Sequence, residues 1–404
     1  MFTRRCFVLT AVYWAVSIAA IGAEPNQAAL GRIASAMREF VDRHEISGAV
    51  AVVGRHDGIL SYQAVGLRDV EQRQAMANDT LFRIASMTKP ITGTAVMLLV
   101  DEGKLSVDDP VEKHLGEFRG QMLVASRTAD MITLKRPARK ITIRDLLTHT
   151  SGLPSHMPDG LSDLYLKRNR TLAEGVMAFS QRPLDFEPGS KWAYCNAGMD
   201  TLGRVVEVVS GMPYEEFLKK RIFEPLGMKD TTFYPTQRQW PRVAKLYDVK
   251  PGKLLPAGER VIGQRPSPRY PIPAGGLYST GADLARLYQT LLCGGRHEGR
   301  RLISEKSLRA MTSVQTGELA VGFVPGMGYG FGWGVVRQPQ GVTAMLSPGT
   351  FGHGGAFGTQ GWIDPKQDLF LILLIQRVGV PNGDASEVRR RFQDLAVKAV
   401  RGQG

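Results

Sequence analysis

Strand-like segments lie near both ends of this chain, and helical periodicity dominates the residues between them. Close to the N-terminus, residues 47–53 and 59–66 are predicted strands joined by a turn at 55–58. Toward the C-terminus, the predicted strands are residues 329–336, 342–346, 352–363 and 369–376. This order predicts an α+β fold, in which both chain ends build one layered lobe and a mainly helical lobe is inserted at roughly residues 86–270.

Apolar residues recur at helical spacing in the remaining segments. The predicted helices are residues 27–44, 86–102, 172–180, 196–210, 213–223, 282–292 and 384–400. Residues 119–140 are polar and basic and are predicted to form an exposed insertion. The chain has no internal repeat and no low-complexity tract.

The composition is that of an ordinary globular protein, with 404 residues, 43% hydrophobic and 22% charged. The formal net charge is +13, but the basic residues are dispersed and no nucleic-acid-binding motif accompanies them. The histidines form neither His-Glu-x-x-His nor a cysteine–histidine cluster, and no phosphate loop or dinucleotide fingerprint is present. We therefore expect no nucleic acid, no metal and no cofactor.

The N-terminus has the pattern of an export signal. Arg4 and Arg5 precede an apolar stretch at 7–21, and the small residues Gly22 and Ala23 follow. The paired arginines also fit a twin-arginine signal, so that route and the general secretory route both stay open. We expect residues 1–23 to be removed, residues 24–404 to form the mature domain, and the protein to be periplasmic or secreted. Only a retained signal would bring it to a membrane.

Cys195 and Cys293 are the cysteines of the expected mature chain. One disulfide between them is compatible with an oxidising compartment. Both lie in apolar, helix-like surroundings, which favours two buried free thiols.

The stretch with the clearest chemical meaning is Ser86-Met87-Thr88-Lys89. A serine and a lysine at this spacing share one face of a helix, so the amine can reach the hydroxyl. Such a pair is suited to nucleophilic catalysis, in which Ser86 attacks and Lys89 takes its proton. The positive end of the helix dipole is expected to lower the pKa of Lys89. The same pattern also arises by chance as a capping serine and a surface lysine, so its interpretation depends on the motifs that follow.

Two further motifs follow in order, Tyr194-x-Asn196 and His353-Gly354-Gly355. Together with Ser86-x-x-Lys89 they resemble the serine beta-lactamase and penicillin-binding protein superfamily. The most similar branch contains class C beta-lactamases, D-alanyl-D-alanine carboxypeptidases and beta-lactamase-fold esterases. The supporting stretches are residues 147–153 (LTHTSGL), 188–196 (PGSKWAYCN) and 274–280 (AGGLYST). The resemblance covers nearly the whole mature chain and implies a beta-lactamase-like fold with an antiparallel sheet flanked by helices.

The resemblance also implies catalytic roles. Ser86 would be the acylated nucleophile and Lys89 its activating partner. Tyr194 would be the phenol that carries a proton to the leaving group and later activates the deacylating water. A phenol ordinarily has a pKa near 10, so it needs a neighbouring cation, and Lys89 would supply one. The alternative interpretation of Tyr194 is a packed aromatic residue.

Substrate contacts are implied at the other motif positions. Asn196 would bind Lys89 or a substrate amide, although it also precedes a helix and is predicted as its N-cap. His353, Gly354 and Gly355 would lie along the substrate, because glycines let it approach the strand edge. The backbone N–H groups of Ser86 and Ala356 would form the oxyanion hole. A buried core histidine is the alternative interpretation of His353.

One departure from the family pattern decides which activity is expected. His353-Gly354-Gly355 stands where the family has Lys-Thr-Gly or His-Thr-Gly, and a chain without that lysine and threonine is less suited to bind a beta-lactam carboxylate. We therefore expect an exported serine hydrolase that cleaves ester or amide bonds through an acyl-enzyme on Ser86. Its expected partner is a small-molecule ester, amide or peptide substrate. The alternatives are a D-Ala-D-Ala carboxypeptidase, a class C-type beta-lactamase, and a non-enzymatic sensor that binds penicillin or peptidoglycan. No Gly-x-Ser-x-Gly motif supports an α/β-hydrolase.

Overall fold

A computed structural model describes residues 24–158, 160–258, 267–380 and 382–403. The predicted export signal at 1–23 lies outside these ranges. None of the helices within them is long and apolar enough to cross a bilayer.

The helices begin where local sequence supplies caps. Thr171 and Glu174 form a reciprocal capping box at the start of one helix, as Thr142 and Asp145 do at another. The helices are α1 Gln27–Asp42, α2 Thr88–Asp101, α3 Val111–His114, α4 Ile143–Leu147, α5 Leu164–Lys167, α6 Leu172–Ser180, α7 Asn196–Ser210, α8 Tyr214–Leu218, α9 Gly281–Leu292, α10 Glu305–Thr312 and α11 Glu387–Val400.

The strands are β1 Gly48–Arg55, β2 Gly58–Asp69, β3 Gln74–Ala75, β4 Phe82–Arg83, β5 Leu123–Arg127, β6 Ile132–Lys135, β7 Tyr247–Lys250, β8 Lys253–Pro256, β9 Tyr278–Ser279, β10 Arg296–His297, β11 Arg300–Arg301, β12 Met327–Tyr329, β13 Gly334–Val336, β14 Phe351–Gly354, β15 Gln360–Asp364, β16 Leu369–Leu374 and β17 Arg377–Val378. The main sheet has eight strands in the order β12-β13-β14-β15-β16-β1-β2-β3. Its neighbours pair antiparallel throughout. Because β1 lies beside β16, with Val50 opposite Leu374, the two chain ends meet at its centre. This confirms the predicted α+β fold.

Both faces of the central strands are buried, because helices cover the sheet on either side. Alternate residues of a strand point to opposite faces. On β1, Ala51 and Val53 therefore join the core formed with α1 and α11. Val50 and Val52 join the core on the α2 and α9 side.

Helix α7 lies at the centre of the inserted helices and packs against α2, α4, α6 and α8. It ends at Gly211, whose φ of 70° is the left-handed conformation that commonly terminates helices. Tyr194 and Cys195 immediately precede its first residue. The contact between α2 and α7 therefore brings Lys89 and Tyr194 to the same region.

Several predicted boundaries near the C-terminus were wrong. Residues 342–346 were predicted as a strand, but Gly341–Thr343 is a 3-10 turn. Residues 352–363 form the hairpin β14–β15 rather than one strand. The chain reverses there because Gly355 N–H and Thr359 O close the turn with a 2.7 Å hydrogen bond. A run of glycines and apolar residues does not by itself distinguish a long strand from a tight hairpin.

Two other expectations have simpler outcomes. Cys195 and Cys293 are both free, but Cys293 is only half-buried. The predicted insertion at 119–140 contains the hairpin β5–β6, on which Ile132 and Leu134 are exposed.

Candidate active site

Ser86 lies in a 3-10 turn, Ala85–Met87, directly before α2. Helix α2 therefore begins at Thr88, two residues after the predicted start at Ser86. Ala85 has a φ of 46°, in the left-handed region that residues other than glycine rarely adopt. The turn is anchored on the preceding residue, since Ile84 N–H donates to Leu277 O at 3.0 Å. Ser86 is thus placed at the end of a helix and is only partly buried.

Lys89 is fully buried on the first turn of α2, with 0% of its surface exposed. Its Nζ donates to Ser86 Oγ at 3.1 Å and to Ala274 O at 2.6 Å. Burial lowers the pKa of Lys89 to about 7, and the Asp200 carboxylate opposes that shift. Desolvation, rather than the helix dipole that we expected, is therefore the main reason why this amine can be neutral near pH 7.

Tyr194, which immediately precedes α7, contacts the same Ser86 hydroxyl. Its phenolic O–H donates to Ser86 Oγ at 2.8 Å. Lys89 Nζ lies 4.5 Å from the centre of its ring, a cation–π distance. We expected Lys89 to lower the pKa of this phenol, but burial raises it. Tyr194 therefore rests as a neutral hydroxyl that can donate a proton.

Asn196 is the first residue of α7 rather than its N-cap, which is Cys195. Its Oδ1 is buried and has no hydrogen-bond partner within the described ranges. The predicted contact with Lys89 is not among the hydrogen bonds of those residues, and the role of Asn196 toward a substrate stays a prediction.

His353 lies on β14 with both ring nitrogens engaged inside the protein. Nδ1 is 2.6 Å from Gly354 O, which can only accept a proton, so Nδ1 carries the hydrogen. Nε2 is 3.0 Å from the hydroxyl of Tyr329. Burial, followed by the charge of Lys89, lowers the pKa of His353. The ring is therefore neutral and has no free nitrogen, and its contact with a substrate stays a prediction.

A second buried histidine extends this chain of hydrogen bonds. The hydroxyl of Tyr329 lies 3.2 Å from His149 Nε2, and His149 Nδ1 accepts the N–H of Cys195 at 3.2 Å. Since Nδ1 accepts, Nε2 must donate to Tyr329, and Tyr329 must donate to His353. Burial also lowers the pKa of His149. The hydrogen bonds therefore fix which nitrogen of each neutral histidine donates and which accepts.

Gly354 and Gly355 are required by close packing. A Cβ on Gly354 would collide with Asp384 Oδ1, and one on Gly355 would lie 2.5 Å from Ile84 O. The turn after β14 is therefore pressed against the turn that carries Ser86. Among the described residues, Ala356 N–H donates to no backbone carbonyl, and its role in the oxyanion hole stays a prediction.

Aromatic side chains form one wall next to these groups. Ring centroids of Tyr194 and Phe323 are 5.0 Å apart, and those of Trp192 and Phe323 are 6.1 Å apart. Trp192, Phe323 and Tyr329 also line a small, open cleft that reaches His353 and Gly354. Such a surface suits an apolar or aromatic group.

Three residues of this arrangement were missed at the level of sequence: His149, Asp200 and Tyr329. His149 lies in the stretch 147–153 that supported the resemblance, but no role was assigned to it. Asp200 lies on the buried face of α7, beside Met199 and Leu202. An acidic residue on an apolar helix face is unusual, and this pattern could have marked Asp200 as a functional residue. No local pattern marks Tyr329. Within the described ranges, no group of three or more His, Cys, Asp or Glu side chains is placed to hold a metal ion.

Comparison with known proteins gives a consistent family assignment. The family model described as Beta-lactamase matches residues 33–396. Protein Rv1367c of Mycobacterium tuberculosis (strain ATCC 25618 / H37Rv) is 35% identical over 359 residues, which cover 85% of this chain and 88% of that protein. Esterase EstB of Burkholderia gladioli is 31% identical over 368 residues, which cover 85% and 89%.

A solved structure agrees with these relatives. EstCE1, described as a hydrolase with promiscuous acyltransferase activity, superposes with a TM-score of 0.75 at 27% identity. The match covers 93% of this chain and 99% of EstCE1. With the family model and two relatives aligned over most of their length, this chain belongs to the beta-lactamase family.

Proposed function

We propose that this protein is a serine hydrolase that cleaves carboxylic esters, and by extension activated amides, through an acyl-enzyme on Ser86. One observation carries the proposal: Ser86 Oγ receives hydrogen bonds from both Lys89 Nζ, at 3.1 Å, and the Tyr194 hydroxyl, at 2.8 Å. Two proton-transfer groups on one partly buried hydroxyl are the arrangement that an activated nucleophile needs. The relationship to Esterase EstB supports an ester as substrate, and the likeness to EstCE1 supports a hydrolase.

Acylation begins with neutral Lys89. Loss of one ammonium proton leaves a lone pair on Nζ, which then accepts the Ser86 hydroxyl across the same 3.1 Å contact. As Ser86 Oγ bonds to the carbonyl carbon, its proton passes to Lys89 Nζ, and the carbonyl oxygen becomes negative. The N–H groups of Ser86 and Ala356 stabilise that oxygen. Tyr194 then donates its proton to the departing alcohol as the ester C–O bond breaks. The tyrosinate so formed is balanced by the Lys89 ammonium beneath its ring.

Deacylation reverses these transfers. Water gives its proton to the Tyr194 oxygen and attacks the acyl carbonyl, and the same N–H groups stabilise the second oxyanion. Lys89 returns its proton to Ser86 Oγ as the acid leaves. Each proton taken is given back, so the resting state is restored without an external acid or base.

Hydrolysis of p-nitrophenyl butyrate tests the proposal. Ser86→Ala should lose all turnover, whereas Ser35→Ala, an exposed serine on α1, should keep wild-type rates. Mass spectrometry during turnover should detect a butyryl adduct on the wild type and on Ser35→Ala, but not on Ser86→Ala. Undiminished hydrolysis by Ser86→Ala would reject the proposed nucleophile.

A substrate panel separates this activity from the alternatives. We expect short-chain esters to be cleaved faster than nitrocefin or a D-Ala-D-Ala peptide, because His353 offers neither a lysine charge nor a free nitrogen to a carboxylate. Efficient nitrocefin turnover would reverse that order. A stable penicillin adduct with no release would favour a sensor.

We also propose that the protein is exported. The support is the pair Arg4 and Arg5 before the apolar stretch 7–21. Cell fractionation should find the mature chain outside the cytoplasm. Loss of export in the Arg4→Lys, Arg5→Lys double variant would assign the twin-arginine route, and retained export would assign the general one.

A further inference from the structure

Asp200 is a fully buried carboxylate on α7, with 0% of its surface exposed. Its Oδ2 accepts the hydroxyls of Tyr165, at 2.6 Å, and Tyr270, at 2.8 Å. Its Oδ1 accepts the N–H of Ala274 at 2.9 Å. The salt bridges of the described residues do not include Asp200, so these neutral donors hold it. A carboxylate without a guanidinium or ammonium contact is costly to bury, and its position therefore calls for a function.

The Ala274 contact links Asp200 to the reacting groups. The N–H of Ala274 binds Asp200, and the carbonyl of the same residue accepts Lys89 Nζ at 2.6 Å. One residue thus lies between the carboxylate and the amine. The preceding carbonyl, Pro273 O, is held separately by Thr92 Oγ1 at 2.8 Å. The segment is fixed on α2 and α7 together, so the direction of the Lys89 amine depends on both helices.

Asp200 also affects Lys89 by its charge. Its carboxylate is the strongest influence that favours the protonated amine against burial. Burial raises the pKa of Asp200 itself to about 6, while the two tyrosine hydroxyls and Ala274 N–H favour its charged form. Near neutral pH the carboxylate is therefore present in its charged form beside an amine that is ready to lose its proton.

We infer that Asp200 is a positioning residue of this site, which fixes the Ala274 carbonyl so that Lys89 points at Ser86 and which balances the charge of the Lys89 ammonium formed during acylation. The inference rests on the proposed function. Helix α7 would then have two roles in the site, since it positions both Tyr194 and Asp200. Because Asp200 touches none of the reacting atoms, its effect is transmitted through Ala274 and through the electric field.

The dependence of kcat/KM on pH tests this role of Asp200. If Asp200 only stabilised the fold, its substitution would not shift that dependence. The ionisable groups that face Lys89 or Asp200 are Tyr165, His149, Tyr194, Cys195, Tyr214, Tyr270 and His353. The tyrosines and Cys195 have raised pKa values, and both histidines have lowered ones. The acid limb of activity near neutral pH is therefore expected to belong to the coupled pair of Lys89 and Asp200.

Asp200→Asn removes the charge but can keep the acceptor for Ala274 N–H. Lys89 would then lose its proton more easily, so the acid limb of kcat/KM for p-nitrophenyl butyrate should move down by about one pH unit. Asp200→Ala removes the acceptor as well, and its kcat should fall by about 10²-fold because the amine is no longer aimed. The matched control is Asp283→Asn, another buried carboxylate, on α9, which should leave the limb unmoved.

A second measurement keeps the test decisive if the Asp200 variants fold poorly. Tyr165→Phe removes one donor to Asp200, weakens its charged form and should move the same limb in the same direction by a smaller amount. The rate of Ser86 labelling by a fluorophosphonate against pH should show both shifts without any ester substrate.

The inference would be overturned if Asp200→Asn and Tyr165→Phe had the same acid limb as the wild type and Asp200→Ala kept full kcat. That result leaves the loss of turnover in Ser86→Ala untouched. Activity that survives in Ser86→Ala would instead reject the proposed function.

Discussion

Thr359 Oγ1 donates a hydrogen bond of 3.2 Å to the carbonyl oxygen of Ile84, although 275 positions separate the two residues in the chain. This contact joins the hairpin β14–β15 to the turn that carries Ser86. It lies beside Gly355, where a Cβ would meet the same carbonyl. The geometry around the proposed oxyanion hole therefore depends on two distant turns being held in contact.

Gly355→Ala tests that dependence. The new methyl group must push the β14 turn away from Ile84, which should displace Ala356 N–H and lower kcat for p-nitrophenyl butyrate by about 10²-fold. Gly31→Ala on α1, where a Cβ meets nothing within 4 Å, should keep full activity and gain up to about 1 kcal/mol of stability. Equal kcat in both variants would contradict the role given to this turn.

Activity should depend on pH through Lys89. Because its folded pKa is about 7, the neutral amine is lost as pH falls, and kcat/KM should decrease about tenfold for each pH unit well below 7. A pH series from 4.5 to about 9 with p-nitrophenyl butyrate measures this. Lys89→Met should remove the limb together with about 10²- to 10⁴-fold of the rate, while the exposed Lys113→Met variant should keep both. A flat wild-type profile would exclude Lys89 as the base.

Tyr194→Phe should discriminate between leaving groups. An alkoxide needs a proton to depart, whereas p-nitrophenolate leaves without one. We therefore expect acylation by ethyl butyrate to fall by about 10²- to 10⁴-fold, and acylation by p-nitrophenyl butyrate to fall much less. The burst of p-nitrophenol in rapid-mixing experiments isolates the acylation step. Equal losses on both esters would show that Tyr194 does not protonate the leaving group.

Tyr329→Phe should affect stability more than chemistry. The substitution leaves the N–H of His149 and the acceptor nitrogen of His353 buried without partners, which should cost about 1–3 kcal/mol of unfolding free energy. Urea denaturation measures this loss. The control is Tyr288→Phe. Tyr288 is also buried, but none of the side-chain hydrogen bonds of the described residues includes its hydroxyl, so this substitution should change stability much less. If Tyr329→Phe were as stable as wild type, the hydrogen-bond chain would not be formed.

The sequence alone determined the features that depend on residues close to one another along the chain. The spacing of Ser86 and Lys89 put their side chains together, and periodicity located α6 at its observed bounds, Leu172–Ser180. Strands at both chain ends were enough to predict the α+β fold, because unpaired strands must find partners. The resemblance of ordered motifs then supplied the family that the comparisons show.

Only the tertiary structure decided how the site is built. Tyr194 meets Ser86 across 108 positions because α7 packs on α2, which no local pattern encodes. The shifted pKa of Lys89 comes from burial, and the carboxylate of Asp200 enters through a single backbone residue, Ala274. Desolvation and field effects depend on everything that surrounds a group in space, so they exist only once the chain has folded.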